Sequence, residues 1–484
     1  MKSLSIYLFR NDLRLIDNYA LHEASKSADY LMPIFILDPQ FYFDAKTWYF
    51  KFPRQSDLKN KFLYESLTNL RGSLLASNSD LVVFKGKTES VILALVQQLK
   101  ANYILKIVTQ TESTYEEDKL ESQIEAICLQ NDISFQSVWG STLVERERLN
   151  DIPKQFTQFR KHVESDFQVK ALVKTIIPAF PNVVPDSACL LPGYKFGAIP
   201  MSNTKLDSRS VYATYFGGET EALRRLDDYF FKFDLLKNYK DTRNGLIGSN
   251  YSSKFSAYLA LGCISPRYIY HKVQEYELKV KNKSTYWVIF ELLWRDFFKF
   301  IAIDLKTDLF KIGGPNKYEK EWSTDLKLFD KWAKGETGIP FVDANMKELL
   351  LTGYMSNRGR QNVASFLTKD LNLDWRLGAE WFESHLIDHD VCSNYGNWIY
   401  ASGVALDPRK DRKFNMIKQA KDYDPAGEYI RLWIPELATV EHVFYPWVHT
   451  DSLYFPPVCV APEWTKYMQN RVHKRKPFTI KDKK

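Results

Sequence analysis

The segment at residues 385–403, HLIDHDVCSNYGNWIYASG, holds the densest group of side chains suited to chemistry. Six of its side chains are imidazoles, carboxylates or amides: His385, His389, Asp388, Asp390, Asn394 and Asn397. The histidines stand four residues apart, which on a helix puts both imidazoles on one face at the spacing of metal ligands. The carboxylates and amides would equally bind the edge of a planar heterocycle or a sugar. These residues alone are compatible with three interpretations: a metal site, a heterocycle or sugar site, or a polar surface turn. Gly396, between the two amides, predicts a turn.

Two other segments offer groups that bind anions. Buried carboxylates need basic partners, and NRGRQN at 357–362 supplies Arg358 and Arg360. In YKDTRNGLIGSNYSSKFSAYLALG, residues 239–262, a predicted helix opens with three serines and a lysine: Ser252, Ser253, Ser256 and Lys254. Hydroxyls, free backbone N–H groups and an ammonium at a helix N-terminus suit a phosphate or pyrophosphate. A serine that only caps the helix produces the same pattern, so both interpretations remain open.

Ten of the twelve tryptophans lie between Trp287 and Trp464. Indoles usually serve as core or interface anchors, and that role is favoured for any one of them. A series of indoles near a redox cofactor can also pass electrons, because neutral indole yields an electron to a strong photo-oxidant. Trp398, in the acidic segment, is joined by Trp375 and Trp322 as candidates for such a series.

Composition excludes several classes of protein. The chain has 484 residues, 45% hydrophobic and 26% charged, which suits two or three soluble globular domains. It shows neither an apolar run of about 18 residues nor a signal peptide, so we expect no membrane span and a cytoplasmic location, with an organellar or nuclear location as the alternative. We also expect a monomer. The five cysteines are scattered and never spaced as CxxC, which argues against disulfides and a cysteine-built zinc site. A net charge of +7 favours a polyanionic partner or a solubilising basic tail.

Short apolar runs alternate with amphipathic ones over the first 140 residues. Strands are predicted at five places: LSIYLF (4–9), LMPIFIL (31–37), LVVF (81–84), YILKIV (103–108) and ISFQSVW (133–139). Helical spacing at 62–75 and 89–100 then predicts a Rossmann-like α/β domain with a parallel sheet. Beyond a long connector, apolar residues recur at helical spacing only, which predicts an all-α domain. The predicted boundaries are 1–140, 141–215 for the connector, 216–470, and a basic tail at 471–484.

Several of these motifs, in this order, resemble the photolyase/cryptochrome family, and its DASH branch most. The similar segments are LFRNDLRLIDNYAL (8–21), YSSKFSAYLALGCISPR (251–267), ELLWRDFF (291–298), GIPFVDANMKELLLTGYMSNRGRQNVASFL (338–367), LDWRLGAEWFESHLIDHDVCSNYGNW (373–398) and YDPAGEYIRLWIPEL (423–437). FTQFRKHVE (156–164) and YFGGETEALRRL (215–226) are similar to DASH members in particular. The resemblance covers nearly the whole chain and implies an antenna-pigment domain followed by a helical FAD-binding domain.

The resemblance implies that FAD binds in the helical domain, which replaces the metal interpretation with a flavin site; no metal is expected. The implied contacts are Tyr239, Ser252, Ser253, Lys254, Phe255, Ser256, Arg295, Asn357, Arg360, Asp388, Asp390 and Asn394. Tyr239 and the serine segment match phosphate contacts, and Asn394 matches the residue that faces the flavin N5. Arg360 and Asp388 match an ion pair beside the flavin ring.

The resemblance further implies an electron relay and an antenna. Trp398, Trp375 and Trp322, from proximal to distal, match the three tryptophans through which oxidised flavin is photoreduced. Glu116 matches the carboxylate that contacts the antenna pigment, and Glu117 is the neighbouring alternative. That pigment is expected to be a reduced folate, 5,10-methenyltetrahydrofolate.

The implied substrate is DNA that contains a cyclobutane pyrimidine dimer. Glu291 and Trp294 match the acid and the indole of the dimer pocket, and Arg358 is a further expected contact. Tyr400 stands where dimer photolyases have a second tryptophan, and Gln361 stands where they have methionine. A smaller and more polar pocket offsets less of the cost of flipping a dimer out of a duplex, so we expect a preference for single-stranded DNA.

The expected function is therefore blue-light-driven, FAD-dependent dimer repair by electron transfer from excited reduced flavin. The alternative is a blue-light photoreceptor that signals through the redox state of its flavin, with little or no repair. Repair of pyrimidine (6–4) photoproducts is disfavoured, because it calls for a histidine pair and the chain has Gly359, Arg360 and Gln361 after Arg358.

Overall fold

The computed structural model describes residues 1–26, 28–149, 151–181, 199–409, 412–448 and 454–468. Its first part is a five-stranded, all-parallel sheet with the strand order β3-β2-β1-β4-β5. The strands are β1 Lys2–Phe9, β2 Tyr30–Leu37, β3 Val82–Lys85, β4 Tyr103–Gln110 and β5 Ser134–Val138. All five predicted strands are present, so the predicted parallel α/β fold of this part is confirmed.

Helices cover both faces of the sheet because its strands alternate their side chains between two cores. They are α1 Tyr19–Ser25, α2 Asp57–Leu75, α3 Thr88–Leu99 and α4 Tyr115–Gln130. On β1, Tyr7 and Phe9 belong to the core that contains α1 and α2. Leu4, Ile6 and Leu8 point to the opposite core, which contains α3 and α4. The sheet is therefore buried on both faces, as a parallel sheet requires.

Beyond β5, the described residues form helices and no further strand. A helix in the predicted connector, α5 Phe156–Ser165, precedes the helical part. The remaining helices are α6 Glu219–Asp227, α7 Tyr239–Thr242, α8 Ser256–Ala260, α9 Pro266–Glu277, α10 Lys283–Leu305, α11 Leu326–Lys334, α12 Pro340–Thr352, α13 Asn357–Ser365, α14 Trp375–His385, α15 Val391–Ser402, α16 Met416–Tyr423, α17 Glu428–Trp433 and α18 Thr465–Met468. Asn282 and Thr285 form a capping box that starts the longest, α10. Nowhere in the described ranges is a helix long and apolar enough to cross a bilayer.

Buried charges fasten the helical part to the sheet. Arg267, at the start of α9, pairs with Asp17 at 3.0 Å and donates to the carbonyl oxygens of Gly140 and Thr142 at 2.9 and 3.1 Å. Asp296 in α10 accepts from two backbone N–H groups just after β5, at 2.8 and 2.9 Å. Such buried groups are tolerated only when they are paired, so these bonds fix how the two parts meet.

Candidate functional site

A cavity of about 480 Å³ lies inside the helical part. Most of the residues singled out in the sequence line it: Tyr239, Ser253, Phe255, Ser256, Glu291, Trp294, Arg295, Asn357, Arg360, Gln361, Asp388, Asp390, Asn394, Trp398 and Tyr400. They come from five helices and the loops between them, so the fold brings together residues that are as much as 161 positions apart in the chain, from Tyr239 to Tyr400. Six others do not line it: Ser252, Lys254, Arg358, Trp375, Trp322 and Glu116.

The acidic segment is not the helix that the histidine spacing predicted. Helix α14 ends at His385, whose Nδ1 lies 3.0 Å from the carbonyl oxygen of Trp381, and Leu386 is already extended. The two histidines therefore share no helix face, and the described residues contain no cluster of His, Cys, Asp or Glu placed to hold a metal. The predicted turn at Gly396 is also wrong. This glycine lies inside α15, where a Cβ atom would stand 2.3 Å from the ring of Phe298.

Arg360 and Asp388 form the predicted ion pair. One guanidinium nitrogen, Nη2, donates to both carboxylate oxygens of Asp388 at 2.9 and 2.8 Å. Nε of Arg360 donates to the carbonyl oxygen of Met355 at 2.9 Å, which fixes the plane of the guanidinium. Asp388 is 7% exposed, so this partner is needed to keep a charged carboxylate at the cavity wall.

Asp390 and Asn394 are placed by the start of α15. The Asp390 side chain caps the helix by accepting from the backbone of Ser393 at 2.7 Å. Burial opposes its charge, but Lys299 at 3.4 Å and Arg295 outweigh that cost, and the pKa of Asp390 lies well below its ordinary value. Asn394 donates from Nδ2 to the carbonyl oxygen of Ala379 at 2.9 Å. This bond fixes the amide so that Oδ1, which has no hydrogen-bond donor among the described residues, is an available acceptor in the cavity wall.

The backbone of the serine segment, residues 249–256, is fixed by hydrogen bonds from an arginine that the sequence analysis did not single out. Arg225, in α6, is fully buried and donates to the carbonyl oxygens of Ser249, Ser252 and Ser253 at 2.9, 2.9 and 3.0 Å. Nothing in the pattern of α6 distinguishes this arginine from its exposed neighbour Arg224.

Lys254 does not supply an ammonium to the cavity. Its backbone is left-handed (φ 59°), and its Nζ turns between the rings of Tyr251 and Tyr354, 3.4 and 4.3 Å from their centroids. Burial lowers the pKa of Lys254 well below its ordinary value, although Glu348 opposes this effect. Ser253 and Ser256 line the cavity, so they remain the members of this segment that are placed to contact a phosphate.

Four of the five predicted substrate residues also line the cavity, namely Glu291, Trp294, Gln361 and Tyr400, whereas Arg358 does not. Glu291 pairs with Arg243 at 2.7 Å, and burial raises the pKa of Glu291 although Arg243 counteracts it. The ring of Tyr400 meets Trp294 edge-on, with centroids 5.9 Å apart. Phe156 of the connector helix stacks on Trp294, with centroids 3.6 Å apart and planes 10° apart. The aromatic spacing within FTQFRKHVE indicates a helix, but no local signal indicates that it meets Trp294.

The three tryptophans of the predicted relay differ in their exposure. Trp398 lines the cavity, Trp375 is fully buried, and Trp322 is partly exposed. Backbone bonds hold the segments of the last two together: Ser323 donates to Asn372, and Asp374 donates to Ser323, each at 2.9 Å. The same Asp374 caps the helix that begins with Trp375.

Glu116 faces a second cavity, of about 180 Å³, between the sheet and the helical part. Its carboxylate is already engaged by Arg54 at 2.8 Å and by the indole nitrogen of Trp48 at 2.5 Å. Glu117 lines the same cavity, and burial, followed by the charge of Glu112, raises the pKa of Glu117 to about 7. Of the two predicted carboxyl groups, Glu117 is the one without a cationic partner within ion-pair distance among the described residues.

Residues 5–182 match the family described as DNA photolyase, and residues 287–474 match the FAD-binding domain of DNA photolyase. A curated relative named Cryptochrome DASH, from Danio rerio, is 46% identical over 96% of this chain and 92% of its own length. This chain belongs to the photolyase/cryptochrome family. Among solved structures, a cryptochrome of Synechocystis sp. PCC6803 is 41% identical, with a TM-score of 0.88 over 97% of this chain and 98% of its own. A bacterial class III photolyase from Agrobacterium tumefaciens is 26% identical, with a TM-score of 0.81 over 97% and 96% of the two chains.

The relatives named Cryptochrome DASH confirm the predicted similarity to that branch. The match to the FAD-binding domain of DNA photolyase identifies the helical part as an FAD-binding domain. The cavity fits that cofactor by its donor set. It offers hydroxyls and backbone N–H groups at one end, a charged pair at Arg360 and Asp388, and an unused amide oxygen at Asn394. Phosphates, ribose hydroxyls and a flavin ring need these three kinds of partner.

Proposed function

We propose that the chain uses FAD and blue light to split cyclobutane pyrimidine dimers, with a preference for single-stranded DNA. One observation carries this proposal: the groups suited to a flavin and those suited to a dimer line one continuous cavity. We assign Asn394 and Asp388 to the flavin and Glu291, Trp294 and Tyr400 to the dimer, and all five line this cavity. Electron transfer between two bound molecules needs this proximity, because its rate falls steeply with distance.

Reduced FAD, when bound in this cavity, would supply light-driven one-electron chemistry: donation of an electron to the dimer and its recovery once the cyclobutane ring is open. The chain's own residues prepare that reaction. Arg360 and Asp388 hold a fixed charge distribution beside the flavin ring, and Asn394 offers Oδ1 as an acceptor at the flavin edge. An amide accepts a hydrogen bond without itself changing charge, so it tolerates a change in the redox state of its partner.

On the substrate side, Trp294 gives a stacking surface for a pyrimidine face, with Phe156 fixing the indole from behind. Glu291 hydrogen-bonds a pyrimidine edge. Its protonation state depends on two opposing effects: burial raises its pKa, and the nearby Arg243 lowers it. Tyr400 and Gln361 are smaller or more polar than the residues of duplex-repairing enzymes. They offset less of the few kcal/mol needed to unstack a dimer from a duplex, which favours single strands.

For the antenna we propose a reduced folate, bound in the cavity of about 180 Å³. Glu117 supports this assignment better than Glu116. A carboxyl group with a pKa of about 7 can both donate and accept hydrogen bonds to a pterin ring, whereas Glu116 is occupied by Arg54 and Trp48. Exchange of folate for buffer should then remove a near-ultraviolet absorption band while the flavin bands remain.

The test is a side-by-side repair assay under blue light. Reduced, FAD-loaded protein is given an oligonucleotide with one thymine dimer, either alone or annealed to its complement. We expect repair of the single strand and much weaker repair of the duplex. Equal rates would remove the strand preference. No repair in either context, in protein that binds FAD stoichiometrically, would favour the photoreceptor alternative.

A further inference from the structure

Trp375 touches an aromatic ring outside the predicted relay. Tyr395, in α15, meets its indole edge-on, with centroids 6.3 Å apart and planes at 82°. Both rings are buried, at 0% and 4% exposure. The hydroxyl of Tyr395 donates to Oε2 of Glu383, on α14, at 3.1 Å. A phenol with a carboxylate acceptor, packed against a relay indole, is the arrangement from which an electron and a proton can leave together.

Glu383 is held in place to accept that proton. Its other oxygen lies 3.2 Å from Nε of Arg54, and it is 7% exposed. Burial raises the pKa of Glu383 above its ordinary value, although Arg54 and Lys59 counteract this effect, so the carboxylate accepts a proton more readily than an exposed one. The hydrogen bond from Tyr395 already lies along the path of the transfer.

The end of the tryptophan relay is, by contrast, a poor place for positive charge. The ammonium of Lys320 lies 3.8 Å from the ring centroid of Trp322, and its bond to the carbonyl oxygen of Thr368, at 3.2 Å, holds it there. A cation over a neutral indole is attracted to it, but an indole that has lost an electron repels the same cation. Oxidation of Trp322 therefore replaces an attraction with a repulsion, whereas oxidation of Tyr395 leaves no charge on the ring.

We propose that Tyr395 and Glu383 form a proton-coupled redox pair that supplies the electron after Trp375 has been oxidised. This proposal rests on the proposed relay, in which photoexcited oxidised flavin takes an electron from Trp375 by way of Trp398. Tyr395 then gives one electron to the Trp375 radical cation and its phenolic proton to Glu383. Trp375 is restored, Tyr395 becomes a neutral phenoxyl radical, and Glu383 becomes a neutral acid.

The test is time-resolved EPR and transient absorption of the FAD-loaded full chain after a blue-light pulse, with the flavin oxidised at the start. We expect a phenoxyl radical in the wild type that Tyr395→Phe removes, leaving a tryptophan radical. Glu383→Gln keeps a hydrogen-bond acceptor of the same shape but removes the base, so phenoxyl formation should be slower than in wild type. In wild type this step should also be slower in D₂O than in H₂O, and that solvent isotope effect should be absent from Glu383→Gln. Lys320→Met should increase the share of tryptophan radical.

Tyr429→Phe is the matched control. Tyr429 is also a buried phenol that donates to a carboxylate, Glu348, at 2.6 Å, but its ring meets Phe341 and not one of the three relay tryptophans. It should leave the phenoxyl signal intact. A wild type that shows tryptophan radicals alone, or a phenoxyl signal that survives Tyr395→Phe, overturns the pair. Absence of every aromatic radical, with the flavin still photoreduced, would instead overturn the relay itself.

If Tyr395→Phe does not bind FAD, the Glu383→Gln variant and the D₂O comparison on wild-type protein still decide the question. Formation of the phenoxyl radical at equal rates in H₂O and D₂O contradicts transfer of a proton with the electron. Slower formation in D₂O, lost in Glu383→Gln, supports it.

Discussion

Gly378 lies directly against the indole of Trp398: a Cβ atom at this glycine would stand 2.1 Å from Cη2 of the ring. The contact joins α14, which begins with Trp375, to α15, which carries Trp398. The Trp398 indole at the cavity wall therefore fits only because the neighbouring helix has no side chain at position 378.

Gly378→Ala should displace Trp398 and slow photoreduction of the bound flavin. Alanine is the better helix former by up to about 1 kcal/mol, but overpacking in a core costs about 1–3 kcal/mol, so we expect a net loss of stability. Gly72→Ala is the control, because Gly72 is an exposed helix residue with open space around it. Its thermal midpoint should rise slightly, with photoreduction unchanged. Unaltered photoreduction in Gly378→Ala would show that the position of Trp398 does not limit the reaction.

Trp398→Phe should abolish photoreduction of oxidised flavin but leave repair by chemically reduced protein largely intact. Phenylalanine fills most of the space but is far harder to oxidise. Trp332→Phe is the matched control. Trp332 is not part of the predicted relay, but its indole is buried and its ring centroid lies 6.4 Å from that of Trp398. Photoreduction followed at the flavin absorption bands distinguishes them, and its loss in both variants would contradict the assigned route.

Asp388→Asn should weaken retention of FAD. The change leaves the Arg360 guanidinium without its charged partner at the cavity wall, and we expect about a tenfold or larger rise in Kd, or about 1.4 kcal/mol. Asp80→Asn breaks an equivalent pair, with Arg71 at 2.7 Å, on the sheet domain. Fluorescence titration with FAD should show no change for that control. Equal affinities for Asp388→Asn and wild type would place the ion pair outside the cofactor site.

Tyr400→Trp combined with Gln361→Met should raise duplex repair relative to single-strand repair. A second indole beside Trp294 adds stacking area for a flipped dimer, and base–aromatic stacking is worth about 1–3 kcal/mol. The measurement is the ratio of the two repair rates. An unchanged ratio, with single-strand repair retained, would assign strand preference to residues outside this pocket.

Stability should fall as pH rises toward neutrality because of Glu117. Burial raises its pKa from an ordinary value near 4.5 to about 7, so between these values the folded state holds a proton that the unfolded state releases. Stability is therefore full below about pH 4.5 and lost as pH rises through 7, with an upper limit of about 3 kcal/mol. Glu117→Gln should flatten that part of the pH profile in denaturant unfolding. Glu125→Gln, exposed on the same helix, is the control.

Much of the fold could be predicted from local pattern. The apolar runs of the first 140 residues marked all five strands. The inner strands are mostly apolar because they are buried on both faces, whereas the edge strand β5 is only partly buried and includes polar residues. Helices α1 and α4 were missed since α1 is short and α4 is largely polar. The aspartates and Asn394 could be recognised from their segment. The four-residue spacing of the histidines wrongly predicted a shared helix face, because helical periodicity relates residues only within one helix. The break after His385 is imposed by packing of Leu386 and Ile387 into the core.

The sequence by itself determined which residue types are present for the chemistry: the carboxylates and amide of one segment, the arginine of another, and a series of indoles. Only the tertiary structure decided which of them meet. It turned Lys254 away from the cavity, stacked Phe156 on Trp294, and placed Tyr395 between Trp375 and Glu383. Spacing along a chain governs contacts within an element. Contacts between elements depend on how buried surfaces fit, and that is a property of the whole packed core.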